Sequence, residues 1–181
     1  PQTFVRNINF KGLSAISAQQ LKDEIKIQTN TPLSLEILET ASPTITNFYR
    51  SKGFLDAEVK TKLSETIQYY DNDKKADLIF EIYEGPQVFI NKIVIEGNAL
   101  TKNKVILNEL ELDEGDLLTP QKITDSEYHL QKTGLFSAVE ILTLEKGTSI
   151  SKRTVIIRVQ ERKPGLVSVG AGVNTEFDFT I

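Results

Sequence analysis

Ile93-Val94-Ile95-Glu96-Gly97-Asn98 is a short apolar strand running into a glycine, and the chain carries it twice. Its counterpart, Ile8-Asn9-Phe10-Lys11-Gly12-Leu13, lies 85 positions earlier. The same shift carries Leu21 to Ile106, Glu24 to Glu109, Ile25 to Leu110, Ile27 to Leu112, Leu33 to Leu118 and Ser34 to Thr119. A fixed period of this length marks a tandem supersecondary unit. Each copy continues with a helical pattern, a polar turn, a second helical pattern closed by a glycine (Gly53, Gly134), and two alternating strands. The expected fold class is α+β: two βααββ modules, each a three-stranded mixed sheet packed on two helices. The expected boundaries are residues 1–86, 87–163 and a strand-like tail at 164–181.

Local chemistry supplies the elements. In the first strand, Phe4, Ile8 and Phe10 are expected on one side, with Val5, Asn7 and Asn9 opposite. Ser17 and Ser34 are candidate helix caps, and Thr119-Pro120 is a cap and first-turn pair. Helical spacing places Leu21 and Ile25 inward, then Leu38, Ala41, Ile45 and Tyr49. Pro43 leaves two readings, a kinked helix or a helix restarting at Ser42-Pro43. The glycine-to-glycine span is four residues longer in the first copy, about one helical turn, and that turn is assigned to the second helix. Ala57, Val59, Thr61 and Leu63 alternate as a strand, Asp71-Asn72-Asp73 turns the chain, and Leu78, Phe80 and Ile82 return it. Val139, Ile141 and Thr143, then Val155, Ile157 and Val159, do the same in the second copy.

Composition excludes more than it reveals. The 181 residues carry net charge −4, no cysteine and one histidine. Residues 1–86 hold ten Lys/Arg against twelve Asp/Glu, and residues 87–163 eleven of each. Neither module is a basic patch, so phosphate-driven nucleic-acid binding has no footing. A KH-type reading of βααβ fails at the GXXG turn, since the turns read Gln28-Thr29-Asn30-Thr31 and Asp113-Glu114-Gly115-Asp116. His129 with Asp125 is too few ligands for a metal. Asp71-Asn72-Asp73 lacks the glycine and distal glutamate of a calcium loop. With no cofactor motif and no histidine-paired nucleophile, a non-enzymatic protein is expected. Sheets covered by helices on one face leave edge strands where an extended chain can add through main-chain groups, while Lys60 and Lys62 read equally as guards of such an edge against aggregation. The tail alternates Val167, Val169, Ala171 and Val173 with small or polar residues, as a globular edge strand or an opening barrel strand would. The start at Pro1 is expected of a processed or truncated polypeptide.

Ile93 to Asn98, Glu109-Leu110, Gly115-Asp116, Gly134-Leu135-Phe136 and Val159-Gln160-Glu161-Arg162, in this order, resemble tandem polypeptide-transport-associated (POTRA) domains. These are the periplasmic repeats of BamA- and TamA-type outer-membrane assembly proteins, and the tail from Gly165 resembles that family's first barrel strand. The resemblance implies a periplasmic scaffold at the outer membrane that binds unfolded outer-membrane proteins and hands them to its own C-terminal barrel. Accessory lipoproteins or an inner-membrane partner are implied too. It also implies strand addition at the second strand of each sheet. By position these are Glu58, Val59, Lys60, Thr61, Lys62 and Leu63, then Val139, Glu140, Ile141, Leu142 and Thr143. Pro43 and the longer helix depart from the family pattern. Other carriers of POTRA modules are two-partner secretion transporters, separable by a barrel-plugging helix upstream, and cell-division docking proteins.

Overall fold

The computed structural model describes residues 2–163; the tail read as an opening barrel strand lies outside the described residues. The first module runs β1 (Phe4–Lys11), α1 (Ala18–Ile25), α2 (Leu35–Ser51), β2 (Glu58–Val59), α3 (Leu63–Thr66), β3 (Ile67–Tyr70) and β4 (Lys75–Tyr83). The second runs β5 (Phe89–Glu96), α4 (Asn103–Leu107), α5 (Pro120–Lys132), β6 (Phe136–Thr143) and β7 (Lys152–Glu161). Both sheets are mixed, with the last strand central. In the first, β4 pairs parallel with β1 and antiparallel with β2; in the second, β7 pairs parallel with β5 and antiparallel with β6. The α+β class and the module order follow the repeat in the sequence, and the first sheet adds one short strand, β3, on β4.

The helices begin where side-chain oxygens are available. Ser17 and Gln20 form a reciprocal capping box, Ser34 accepts from the Ile37 N–H, and Thr119 accepts from the Lys122 N–H ahead of Pro120. Each such cap is worth about 1 kcal/mol. Helix α2 runs unbroken through Pro43, which settles the two readings in favour of one helix. It has 17 residues against 13 in α5, so the extra turn sits in the second helix.

Two apolar cores result. Leu21, Leu38, Ile45, Tyr49, Leu78 and Phe80 centre the first, and Ile106, Leu118, Leu130, Val155 and Ile157 the second. One expectation is corrected. Val5 is buried and Phe4 is 41% exposed, because the β1–β4 register slips between Val5 and Asn7. An extra residue in one strand turns every side chain before it to the opposite face. The β5–β7 pair slips at the equivalent place, between Ile90 and Lys92, and buries Ile90.

Both modules share one further device. Gly12 and Gly97 take φ of +83° and +89°, and a Cβ there would lie 2.1 Å from the Ile82 carbonyl oxygen or 2.0 Å from that of Val159. Only glycine permits so close a backbone approach. Two residues beyond those carbonyls stand Glu84, just past β4, and Glu161, at the end of β7, each accepting N–H bonds from the loop that follows its module's glycine. Ala15 donates to Glu84 (2.9 Å), and Leu100 and Thr101 to Glu161 (3.0 and 2.6 Å). Burial pushes the Glu84 carboxyl up, but the Ser14, Ala15 and Ile16 amides and the Tyr49 hydroxyl outweigh it and hold it below the usual range. Burial, with the Glu84 carboxylate, drives the Tyr49 hydroxyl up. Glu161 is held low chiefly by the Thr101 amide.

Candidate functional site

The sheets have four flanks, and they are unequal. The opening residues of β1 and β5 are covered by each module's own interhelical turn. Val5 donates its N–H to Thr31 O (2.9 Å) and its carbonyl oxygen accepts the Asn30 N–H (2.7 Å); Ile90 makes the same exchange with Asp116 and Gly115 (2.8 and 2.7 Å). Glu114 then accepts the Ile93 N–H (3.1 Å). The opposite flanks, β2 and β6, are those that sequence reasoning selected.

On the first module the expected strand over 57–63 forms only in its first part. Only Glu58 and Val59 pair with β4, opposite Tyr83 and Ile82. Lys60 N–H still donates to Glu81 O (2.7 Å), but the Glu81 N–H is taken by the Thr61 hydroxyl (2.6 Å) instead of a main-chain carbonyl. A side chain that substitutes for the ladder lets the backbone leave it. Lys62 becomes the N-cap of α3, and Leu63 sits in that helix, 45% exposed. Ile67 of β3 packs against the core instead. The β2 part of this edge is therefore short, and β3 continues the same side of β4 from Ile67 to Tyr70. Facing β2 is a groove of about 730 Å³ lined by Pro43 and Thr46 of α2, by Asp56 to Val59, and by Lys146 and Gly147 of the second module.

On the second module β6 is a single strand of eight residues, and all of Val139, Glu140, Ile141, Leu142 and Thr143 lie in it. Leu144 N–H donates to Thr154 O (2.9 Å). Main-chain groups alternate sides along a strand, so those of Leu142 and Glu140 also face β7. Those of Val139, Ile141 and Thr143 face away. Ile141 packs into the core at 8% exposure while its amide points outward. Glu127 of α5 accepts that amide at 3.0 Å.

The solvent faces carry a charge pattern inverted between modules. Glu96, Arg158 and Glu140 lie side by side across β5, β7 and β6, with both carboxylates 3.3 Å from the guanidinium. At the equivalent places stand Lys11 and Glu81, paired in register, and Lys60.

Where the modules meet, Arg153 of β7 is fully buried and pairs with Asp56, which also accepts the Gly147 N–H (3.2 Å). Burial pushes the Asp56 carboxyl up, and Arg153 and the Gly147 amide more than reverse that. The Leu117 side chain fills the space beside Gly53, and Val88 N–H donates to Gly53 O (2.9 Å). Sequence reading assigned no role to Asp56, Arg153, Glu127, Glu84 or Glu161, although Glu161 stands in the motif Val159 to Arg162. Only the last two carry a sequence signal, the repeated Ile82-Tyr83-Glu84 and Val159-Gln160-Glu161.

His129 lies 3.7 Å from Glu111, while Asp125 accepts from Gln121. Among the described residues no three His, Asp or Glu side chains gather as metal ligands, and no helix is long and apolar enough to cross a membrane.

Two copies of a helix-backed mixed sheet, with the last strand central and the second at an edge, define a tandem α+β repeat protein. The family model described as "POTRA: Surface antigen variable number repeat" matches residues 3–85 and 88–162, and the chain belongs to that family. It is 23% identical to the outer membrane protein assembly factor BamA of Nitratidesulfovibrio vulgaris, over 100% of this chain and 23% of that protein. Among solved structures, Haemophilus influenzae BamA POTRA3-5 matches with a TM-score of 0.64 at 18% identity, covering 88% of this chain and 61% of that one. POTRA1-2 of the periplasmic domain of Omp85 from Anabaena matches at 0.53 and 12% identity, covering 93% and 99%. The chain thus spans under a quarter of the length of its BamA relative.

Proposed function

We propose that this chain is the POTRA region of an outer-membrane protein assembly factor. In this reading it is a periplasmic, non-catalytic scaffold that holds unfolded outer-membrane polypeptides by strand addition, mainly at β6. Family membership and the BamA relative support the setting. The observation that carries the binding mode is the outer flank of β6, where Val139, Ile141 and Thr143 turn their main-chain groups away from β7. Extended peptides dock on such flanks through main-chain hydrogen bonds, with little demand on their sequence. That suits a scaffold with many clients. On the first module β2 offers only Val59 and Thr61 before the chain leaves the sheet, and β3 resumes that flank as a separate four-residue strand. It is the minor site. Accessory lipoproteins, an inner-membrane partner and the protein's own barrel belong to the same reading.

The test is capture of an unfolded outer-membrane protein by a photo-crosslinker at Glu140, compared with the variant Thr143→Pro. Proline deletes the outward N–H of Thr143 without touching the β6–β7 ladder. Crosslinking should fall several-fold in that variant while the circular dichroism spectrum is preserved. Equal capture with and without the proline, or capture confined to α5, refutes docking at β6.

A further inference from the structure

Resting on the reading of β6 as the docking flank, we infer that Glu127 is a latch on that flank, which a client strand must displace. The Ile141 N–H is the central outward donor of β6, between Val139 and Thr143. An added strand would accept it with a main-chain carbonyl. In the free protein the acceptor is already present, the Glu127 carboxylate at 3.0 Å. Hydrogen bonds to a charged acceptor are about twice as strong as neutral ones, so the carboxylate outcompetes a peptide carbonyl for this one donor. The flank is closed at its middle and open at Val139 and Thr143. A strand that engages several main-chain groups together displaces the latch, and a short or mismatched contact does not.

The first module lacks the device. Counting back from the closing glycines Gly134 and Gly53, the position of Glu127 is held by Thr46, which lines the open groove facing β2. The carboxylate therefore sets apart the longer flank, the one most exposed to indiscriminate pairing between copies. Its place on α5, rather than on β6, keeps it from disturbing the ladder to β7.

The experiment uses ¹⁵N-labelled protein and two readouts. Glu127→Ala, a favourable change for a helix, should speed hydrogen exchange at Ile141 at least tenfold and leave Val155 and Ile157 unchanged. The same substitution should tighten binding of a fluorescent peptide of alternating valine and threonine about tenfold, measured by anisotropy. Glu127→Gln, which keeps an oxygen acceptor without charge, should fall between. Unchanged exchange at Ile141 overturns the latch itself. Faster exchange with unchanged peptide affinity overturns its gating role while leaving β6 docking intact. Faster exchange with no peptide binding in either protein overturns the docking reading, and the gate with it.

Discussion

Replacing Gly97 with alanine tests the backbone contact on which each module is built. Two costs add. At φ +89° an L-residue pays about 1–2 kcal/mol for leaving its normal backbone region. The new methyl would also lie 2.0 Å from the Val159 carbonyl oxygen, a main-chain atom of the central strand that no rotamer change moves aside. Overpacking of this kind costs about 1–3 kcal/mol, so the total is about 2–5 kcal/mol. Gly115 separates the two terms: its φ is +93°, but a Cβ there meets nothing within 4 Å. Gly115→Ala should therefore lose only the conformational part, about 1–2 kcal/mol. Gly12→Ala should behave like Gly97→Ala, its Cβ lying 2.1 Å from the Ile82 oxygen. The assay is native-state hydrogen exchange at Ile157 for the second module and Phe80 for the first, which reads each core separately. Equal losses at Gly97 and Gly115 would mean that the close approach is not a constraint, and the argument for a shared glycine device would fail.

At the junction, Asp56→Ala strands the buried Arg153 charge and should cost about 3–5 kcal/mol; adding Arg153→Met should recover most of it, as a urea-denaturation cycle would show. Removal of Pro43 from mid-helix by Pro43→Ala restores a donor to the Glu39 carbonyl. It should raise stability by about 1–3 kcal/mol, read as a higher urea midpoint, because the helical defect outweighs proline's stiffening of the unfolded chain. Glu84 is held low in the fold. Its contribution is complete above the ordinary glutamate value of about 4.3 and fades as pH falls through the lower folded value. Stability measured from pH 6 to 3 should therefore drop less steeply in Glu84→Gln than in the parent. Arg158→Glu places three carboxylates side by side across the second sheet and should cost about 1 kcal/mol, shrinking as salt is added.

What sequence showed and what it hid divide by range. The caps at Ser17, Ser34 and Thr119 and the four-residue excess of α2 over α5 are local; the period exposed all but Ser17, which its hydroxyl chemistry marked. The bulges were hidden because strict alternation counted back from Ile8 puts Val5 outside. The 85-residue shift held the clue, since it matches Val5 with Ile90, an apolar pair on a face assigned to solvent. The strand expected over 57–63 is cut short by one side chain. Thr61 looks like any strand threonine until Glu81 is known to stand 2.6 Å from its hydroxyl. Glu127 and Arg153 were out of reach for the same reason: the Ile141 amide and Asp56, their respective partners, are assigned only by the folded packing of α5 on β6 and of one module on the other.

The two modules agree where the constraint is on the backbone and part where it is on side chains. Gly12 and Gly97, the bulges before Asn7 and Lys92, and the carboxylates of Glu84 and Glu161 all secure main-chain atoms, and all are kept. Positions that face outward are exchanged freely: Lys60 for Glu140, Glu81 for Arg158, Lys11 for Glu96. Exposed pairs of this kind contribute little to stability, so inverting the three signs of this row leaves the fold intact. It does change the charge beside each edge, a lysine at β2 and a carboxylate at β6. On the proposed strand addition, which is blind to sequence at the main chain, these side chains, with the carboxylate of Glu127, would give the two flanks different preferences on the same scaffold.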